Sequence, residues 1–400
     1  MKAILTIVLL FVLLPLWGQE EGMRRAVAAY ERGDFRGSAG LFAELLKKDP
    51  ADARLWLWRG KALFGAGEVQ AALAALQEAD RLRPGYGALW MARVYAATGD
   101  EDKAFTALES HLSSRWRRPR REILLDTLLE PLEGDPRWRA LWQREWYTRR
   151  ERASDAARGA LLLHDAEAAL QEIEGVLAQY PDDPHFLALK AMALTEQGRL
   201  QEARKVLAEV PEMEDSVVLR SRVLVAEASE DHVAAAHYHE QLFGVRPDGF
   251  RELLAAAEAW KEADRPDRAL RDVRQYLVYF PGDAAALTMA GEIQAARGET
   301  REALRLLSEA IAEDPGDPLR FLARANVYMK THTYRYAAQD YGMALDLDPY
   351  NGEIYYRRGE AYLKTGETEK ACYDFERALH YGVKKAKLYL QKYCGKKEGT

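Results

Sequence analysis

Residues 318–349 read PLRFLARANVYMKTHTYRYAAQDYGMALDLDP, and residues 352–381, which begin 34 positions later, read GEIYYRRGEAYLKTGETEKACYDFERALHY. Both stretches place small and aromatic side chains three or four positions apart, so that they share one face of an α-helix. The first stretch contains Phe321, Ala325, Tyr328, Ala337, Tyr341, Ala344 and Pro349. The second contains, at the same interval, Tyr355, Gly359, Tyr362, Ala371, Phe375 and Ala378. This pattern predicts two helical hairpins that stack, because each leaves apolar surface for the next to cover.

The turn of each hairpin offers a second match between the two stretches. Gly366 occupies the place in the second hairpin that His332 occupies in the first. A residue able to adopt positive φ helps the chain reverse at such a place. We therefore expect a positive φ in the turn between the two helices of a hairpin.

The same frame extends backwards through the chain. Prolines at uniform 34-residue intervals mark the ends of repeats, since proline has no N–H to continue a helix: Pro247, Pro281, Pro315 and Pro349. We predict a signal peptide at residues 1–18, about three hairpins within residues 19–112, a divergent helical insertion at 113–148 and about seven hairpins within 149–383. Residues 384–400 are expected to form a capping helix and tail that cover the last apolar face.

The repeat closely resembles the tetratricopeptide repeat, a helix-turn-helix unit of about 34 residues. Eight residues near the N-terminus match the pattern of that family almost place for place, with Leu allowed for its aromatics: Trp56, Gly60, Leu63, Gly67, Ala72, Leu76, Ala79 and Pro84. The resemblance implies an all-α, right-handed superhelical solenoid of about ten hairpins. It also implies a non-enzymatic scaffold that holds a segment of a partner protein in its concave groove.

The first helix of each hairpin lines the groove in this family. By position, the last two hairpins would present six residues to a partner: Leu322, Asn326, Met329, Tyr356, Glu360 and Leu363. Some members grip the C-terminal carboxylate of a chaperone with a clamp of Lys, Asn and Arg, but Leu322 stands where that clamp needs Lys. An extended or helical apolar segment of a partner therefore suits this groove better.

Composition narrows the class of function further. The chain is 48% apolar and 30% charged, which fits a packed helical protein and not a disordered one. Its net charge of −6 argues against a nucleic-acid partner, which would need a basic footprint. No group of residues suggests catalysis, a metal or a cofactor, and we interpret the cluster of His232, His237 and His239 as structural because its spacing does not suit zinc.

The sharpest charge feature is a run of five arginines around Trp116: Arg115, Arg117, Arg118, Arg120 and Arg121. One hypothesis is that they bind anionic lipid, polysaccharide or an acidic partner, because Arg suits bidentate contacts with phosphate and carboxylate. The alternative is a solvated loop, since charge runs are usually solvated.

Further on, Trp138, Trp142 and Trp146 have the spacing of one helical face, which favours packing in the core over a ligand platform.

The ends of the chain suggest a cell compartment. The apolar run within residues 1–18 is typical of a secretory signal peptide cleaved after Gly18, which would make the protein periplasmic or secreted. An uncleaved membrane anchor is the alternative, although the run is short for one. An oxidising compartment would allow Cys372 and Cys394 to form a disulfide. Two buried thiols would explain the same residues equally well.

Overall fold

A computed structural model describes residues 19–395, so the predicted signal segment lies outside the described residues. The regular secondary structure within that range is helical throughout, which confirms the all-α prediction. The chain divides into two compact units, residues 1–252 and residues 253–400. No helix within residues 19–395 is long and apolar enough to cross a membrane.

The first unit contains three hairpins, the insertion and three further hairpins, in which consecutive helices pack against each other. Its helices are α1 (19–31), α2 (Phe35–Lys48), α3 (Ala53–Gly65), α4 (Val69–Leu82), α5 (Ala88–Ala97), α6 (Glu101–Ser113), α7 (Arg120–Leu124), α8 (Pro136–Trp142), α9 (Arg149–Leu162), α10 (Ala166–Leu177), α11 (Pro184–Glu196), α12 (Leu200–Ala208), α13 (Ser216–Ala228) and α14 (His232–Val245). A 3-10 turn, Glu130–Leu132, lies between α7 and α8.

The second unit contains four hairpins. Its helices are α15 (Arg251–Glu262), which starts at the unit boundary, and then α16 (Pro266–Tyr279), α17 (Ala284–Ala296), α18 (Thr300–Glu313), α19 (Pro318–Lys330), α20 (Tyr334–Leu347), α21 (Gly352–Thr365), α22 (Thr368–His380) and α23 (Ala386–Tyr389). A π-helical turn, Leu390–Cys394, follows α23. The predicted capping helix is thus short within the described residues.

Every hairpin turn contains a residue in the left-handed region of φ: Gly33, Gly67, Gly99, His164, Gly198, Glu230, Asp264, Gly298, His332 and Gly366. The two turns compared in the sequence have φ values of 59° and 79° at positions 332 and 366. The ten turns agree with the predicted solenoid of about ten hairpins, and three of them precede the insertion while seven follow it. Gly99 and His164 are the turn residues on either side of the insertion, and they lie about two repeat lengths apart in the sequence. The insertion therefore takes the place of one hairpin.

The alternation of small and large residues has a steric cause. A β-carbon on Gly359 would lie 2.9 Å from the ring of Phe375, and one on Gly60 would lie 2.6 Å from Leu76. Contacts that short force neighbouring atoms to move, so the close approach of the two helices requires glycine at these places. Phe375 is fully buried as a result of this close packing.

The insertion is helical only in part. Asp135 caps α8 by accepting a hydrogen bond from the backbone N–H of Arg137, as expected for an Asp-Pro helix start. The expectation that three tryptophans share one helical face is wrong for Trp146, because α8 ends at Trp142. The indole N–H of Trp146 instead donates to the carbonyl of Leu141 at 2.8 Å, which satisfies a group at the helix end.

Candidate binding surfaces

The concave side of the first unit encloses an inner cavity. It has two lobes of about 820 and 790 Å³ that share Leu57, Lys61, Tyr86, Arg118, Pro119 and Glu122. Arg246, which lines one lobe just beyond α14, accepts through its carbonyl a hydrogen bond from Arg24 of α1 at 3.0 Å. The charged residues in its walls are mostly basic, although the whole chain is acidic: Lys61, Arg93, Arg115, Arg117, Arg118, Arg158, Arg220 and Arg246 against Glu122 and Asp248.

Lys61 is the most unusual of these groups. Its ammonium lies 3.8 Å from the centroid of the Trp58 ring and 5.3 Å from that of Trp90, so its direct contacts are aromatic. Burial, and then the charges of Arg93 and Arg118, lower the pKa of Lys61 to about 8. Among residues 19–395, no carboxylate lies within ion-pair distance of Lys61.

Most of the surrounding arginines have acidic partners. Arg93 pairs with Asp126 at 2.6 Å, and Arg246 with Asp248 at 3.2 Å. Arg118 approaches Glu122 only to 3.7 Å. Lys61 and Arg115 are the cations of the cavity walls that have no carboxylate at ion-pair distance among residues 19–395, and Lys61 is the less exposed of the two.

The inner basic residues were missed by the sequence analysis, although the repeat frame contains a signal for them. Lys61, Arg93 and Arg158 each stand six positions before the left-handed residue of their turn, at the same inner place of α3, α5 and α9. In the second unit that place holds Glu258, Glu292, Asn326 and Glu360. This position is therefore basic in three of the six hairpins of the first unit, where Val27, Met192 and Leu224 occupy it in the other three, and mainly acidic in the second unit.

The five arginines of the predicted anion site do not form one patch. Arg115 lies over the ring of Trp116 at 4.6 Å, and Arg115 and Arg118 face the inner cavity. Arg120 and Arg121 line a separate pocket, and Arg117 lies in the walls of both. The structure thus divides the run between two cavities.

That separate pocket, which we call the insertion pocket, has a volume of about 720 Å³ and lies between the insertion and α9. Its aromatic wall consists of Trp142, Trp146 and Tyr147. Its charged lining is again mainly basic: Arg117, Arg120, Arg121, Arg144, Arg150, Arg152 and Arg158 against Glu145, Glu151 and Asp155. An anion with an apolar portion would match both walls.

The chain itself covers part of the groove predicted in the second unit. Tyr356 is only 7% exposed, and the ring of Tyr389 in α23 packs edge-on against it at 5.3 Å. The hydroxyls of Tyr356 and Tyr389 both donate to the same carboxylate oxygen of Glu360, at 3.1 and 3.0 Å. Lys385 adds an ammonium 4.1 Å from the centroid of the Tyr356 ring. The C-terminal segment therefore occupies this end of the groove.

The other predicted groove residues are also engaged with the fold. Asn326 accepts a hydrogen bond from the Tyr341 hydroxyl at 2.9 Å. Leu322, Met329 and Leu363 are partly buried against the same apolar core. Their role in partner binding stays a prediction.

A disulfide holds the C-terminal segment in place. Cys372 of α22 is joined to Cys394 at the end of the π-helical turn, with the two Cα atoms 5.6 Å apart. The bridge closes a loop across a sequence separation of 22 residues. The segment that covers Tyr356 and Glu360 lies inside this loop.

The histidine cluster has a structural arrangement. His239 is buried between Glu252 and Glu227, whose carboxylates lie 2.7 and 3.2 Å from its two ring nitrogens. Burial alone would lower the pKa of His239, but the hydrogen bonds and charges of the two carboxylates raise it to about 9. His232 and His237 lie on the more exposed side of α14. Within residues 19–395, no group of three or more potential ligands could hold a metal ion.

Comparison with solved structures returns many helical repeat proteins. The crystal structure of MamA protein is 20% identical, covers 43% of this chain and 94% of its own, and superposes with a TM-score of 0.38. A tetratricopeptide repeat protein from Parabacteroides merdae is 19% identical and covers 62% and 99%, with a TM-score of 0.43. YrrB, described as a tetratricopeptide repeat protein with an unusual peptide-binding site, is 16% identical and covers 44% and 92%, with a TM-score of 0.37.

Family models give the assignment. Models of the tetratricopeptide repeat match residues 23–87, residues 160–217 and 261–327, and residues 341–373, which together exceed half of the chain. No curated protein matches significantly. These matches fall on hairpins on both sides of the insertion and agree with the ten left-handed turns. The chain belongs to the tetratricopeptide repeat family.

Proposed function

We propose that the protein is a non-enzymatic scaffold that holds an acidic segment of a partner protein in the inner cavity of residues 19–252. The observation that carries this proposal is the environment of Lys61. Its ammonium lies between two tryptophan rings and close to other cations, and no carboxylate of the described residues pairs with it. A carboxylate from a partner would supply the missing charge.

The chemistry of the cavity walls favours an extended acidic peptide. Lys61, Arg93 and Arg158 occupy one inner position in three hairpins, two before the insertion and one after it, so a segment lying along the cavity would meet cations on both sides of the insertion. Trp58 and Trp90 add flat apolar surface, which suits the methylene groups of Glu and neighbouring apolar residues. A basic partner is disfavoured because its charge would not complement the basic cavity walls. A nucleic-acid partner is disfavoured because the net charge of the whole chain is negative.

The groove of the second unit is a less favourable first contact. A partner that used Tyr356 and Glu360 would have to displace the C-terminal segment and break its hydrogen bonds. Such a partner would have to offset that loss with new contacts. We therefore place the main partner surface in the first unit.

We also propose that the protein works in an oxidising compartment, such as a bacterial periplasm or the cell exterior. Two features support this location: the apolar run in residues 1–18 and the disulfide between Cys372 and Cys394. Disulfides persist mainly in such compartments. Separation of periplasm, membrane and cytoplasm followed by immunodetection tests it, and a purely cytoplasmic signal would contradict it.

A calorimetric titration of the full chain with a synthetic peptide of Glu and Ala tests the scaffold proposal. The Lys61→Met variant should bind at least about tenfold more weakly, or 1.4 kcal/mol, because it removes the uncompensated cation. Lys61→Arg should keep most of the affinity. Lys205→Met, an exposed residue of α12, is the matched control and should bind like the wild type.

Two results would overturn the proposal. One is equal binding of the acidic peptide and of a charge-reversed peptide of Lys and Ala. The other is an affinity that Lys61→Met leaves unchanged. We expect both Lys61 variants to bind the acidic peptide more weakly at higher ionic strength, since salt screens contacts between charges.

A further inference from the structure

We propose that the insertion pocket binds a small organic anion with a planar apolar body and a carboxylate or phosphate group. This site goes beyond the proposed scaffold function, because it is a separate cavity built by the insertion. The two cavities share Arg117, Pro119 and Arg158 in their walls. Four residues line the insertion pocket and neither lobe of the inner cavity: Trp142, Trp146, Arg120 and Arg121.

The aromatic wall supplies surface for the body of the ligand. Trp142 and Trp146 both line the pocket, and Tyr147 continues the wall while its hydroxyl donates to the carbonyl of Arg118 at 2.7 Å. The indole N–H of Trp142 is buried and has no hydrogen-bond partner among residues 19–395. A buried polar group without a partner is unfavourable. This N–H is covered by the pocket wall, so a small movement of the wall would let a ligand oxyanion accept its hydrogen bond.

The cationic wall supplies the recognition of the charged group. The guanidinium of Arg120 lies 5.4 Å from the centroid of the Trp142 ring. Neither Arg120 nor Arg121 has a carboxylate within ion-pair distance in the described part of the chain. Arg117 is paired with Glu151 at 2.8 Å, yet its Nε is also buried without an acceptor. Arg120 and Arg121 thus offer cationic groups to the pocket that are not engaged by a carboxylate of the described chain.

The adjacency of the two walls decides the class of ligand. Because Arg120 lies next to Trp142 and both line the pocket with Trp146, an oxyanion bound to Arg120 leaves the rest of the molecule beside the indole rings. The volume of about 720 Å³ falls in the range of pockets that hold small organic ligands. Inorganic phosphate would leave the aromatic wall uncovered, and a neutral aromatic molecule would leave the arginines uncompensated.

An extended lipid or polysaccharide surface is a poorer match to the same residues. Arg120 and Arg121 line a concave pocket, whereas a membrane presents a flat array of headgroups that reaches exposed side chains best. Binding to a membrane through these arginines would therefore count against the proposal.

The test is a calorimetric titration of the full chain with four probes: naphthalene-2-carboxylate, phenyl phosphate, inorganic phosphate and indole. We expect at least one of the two aromatic anions to bind at least about tenfold more tightly than inorganic phosphate and indole. A preference between the two aromatic anions identifies the charged group. Vesicles of phosphatidylglycerol and of phosphatidylcholine are compared in a sedimentation assay.

Variants then assign the site. The double variant Arg120→Gln and Arg121→Gln should weaken binding of the aromatic anion at least about tenfold. Trp142→Phe keeps a ring but removes the indole N–H, and should also weaken binding. Arg139→Gln, an exposed residue of α8 outside the pocket, is the matched control and should bind like the wild type. Circular dichroism checks that each variant is folded.

Three outcomes would overturn the proposal. They are no binding of either aromatic anion, binding that the double Arg variant leaves unchanged, and association with phosphatidylglycerol vesicles through these arginines without binding of a small anion. If Lys61→Met weakens the acidic peptide but not the aromatic anion, the two sites are independent. If Lys61→Met abolishes both, a separate site in the insertion is excluded.

Discussion

Arg24 and Phe243 lie at opposite ends of the first unit in sequence, yet the guanidinium of Arg24 is 4.0 Å from the centroid of the Phe243 ring. The same guanidinium donates to the carbonyls of Gly244 and Arg246, each at 3.0 Å. These carbonyls lie in the last turn of α14 and just beyond it, where backbone acceptors lack helical partners and attract cations. One side chain thus joins the first helix to the sixth hairpin and closes the unit around its inner cavity.

Replacing Arg24 with Met should therefore loosen the first unit. Loss of charged hydrogen bonds and of a cation–π contact should lower the free energy of unfolding by about 1 to 3 kcal/mol. Hydrogen exchange should accelerate in residues 19–31 and 243–248. Arg25→Met is the matched control, because Arg25 is exposed and its ion pair with Glu21 lies within one helix. Similar exchange in both variants would contradict the closing role.

The charge of His239 makes stability depend on pH. Its folded pKa of about 9 exceeds the unfolded value near 6.5, so its contribution is complete below pH 6.5 and is lost as pH rises to 9. The loss should be on the order of 3 kcal/mol. His239→Gln should flatten this part of the pH profile of urea unfolding. His237→Gln on the same helix should keep the slope, and a sloping profile in both variants would refute the assignment.

A buried ion pair recurs in the last two complete hairpins. Arg358 contacts both carboxylate oxygens of Asp374 at 2.8 Å, and Arg324 contacts Asp340 in the same way one repeat earlier. Asp374→Asn leaves Arg358 without its counter-charge and should lower the free energy of unfolding by about 3 to 5 kcal/mol. Denaturant unfolding measures this loss.

The exposed pair of Lys370 and Glu367 in the same hairpin provides the comparison. Glu367→Gln should change stability by less than about 1 kcal/mol, because water and salt screen the pair. Replacing both buried partners, as Arg358→Met with Asp374→Leu, should recover much of the stability lost in Asp374→Asn. Equal effects of Asp374→Asn and Glu367→Gln would show that burial does not govern the pair.

The disulfide should hold the C-terminal segment over the groove. Cys394→Ser opens the loop of Cys372 and should lower the free energy of unfolding by about 3 kcal/mol. Hydrogen exchange should accelerate in α21, where Tyr356 and Glu360 lose their cover. Intact mass with and without alkylation checks the bridge itself, and two alkylatable thiols in the native protein would rule it out.

The sequence was sufficient to predict features that each repeat contains within itself. Small and large residues at helical spacing fix the contacts inside a hairpin, as Gly359 and Phe375 illustrate. The turn position could be predicted because a left-handed residue is needed there, although His332 shows that residues other than glycine occupy it. Local pattern and local structure agree at these places.

Contacts between distant elements could not be predicted in this way. The cover over Tyr356 depends on Tyr389, and its hydrogen bonds to Glu360 follow from how α23 returns over α21. The division of the Arg run between two cavities likewise depends on how the insertion packs beside α9. The inner position of Lys61 can be assigned only when the repeats are aligned by the left-handed residues of their turns.

Proton uptake on binding tests the central proposal most directly. Burial, together with the charges of Arg93 and Arg118, lowers the pKa of Lys61 to about 8, and a bound carboxylate should raise that pKa. Titration of the full chain with the acidic peptide at pH 8, in buffers of different ionisation enthalpy, should show an uptake of about half a proton that is absent at pH 6 and in Lys61→Arg. The same uptake in Lys61→Arg, or none in the wild type, would contradict the placement of the partner at Lys61.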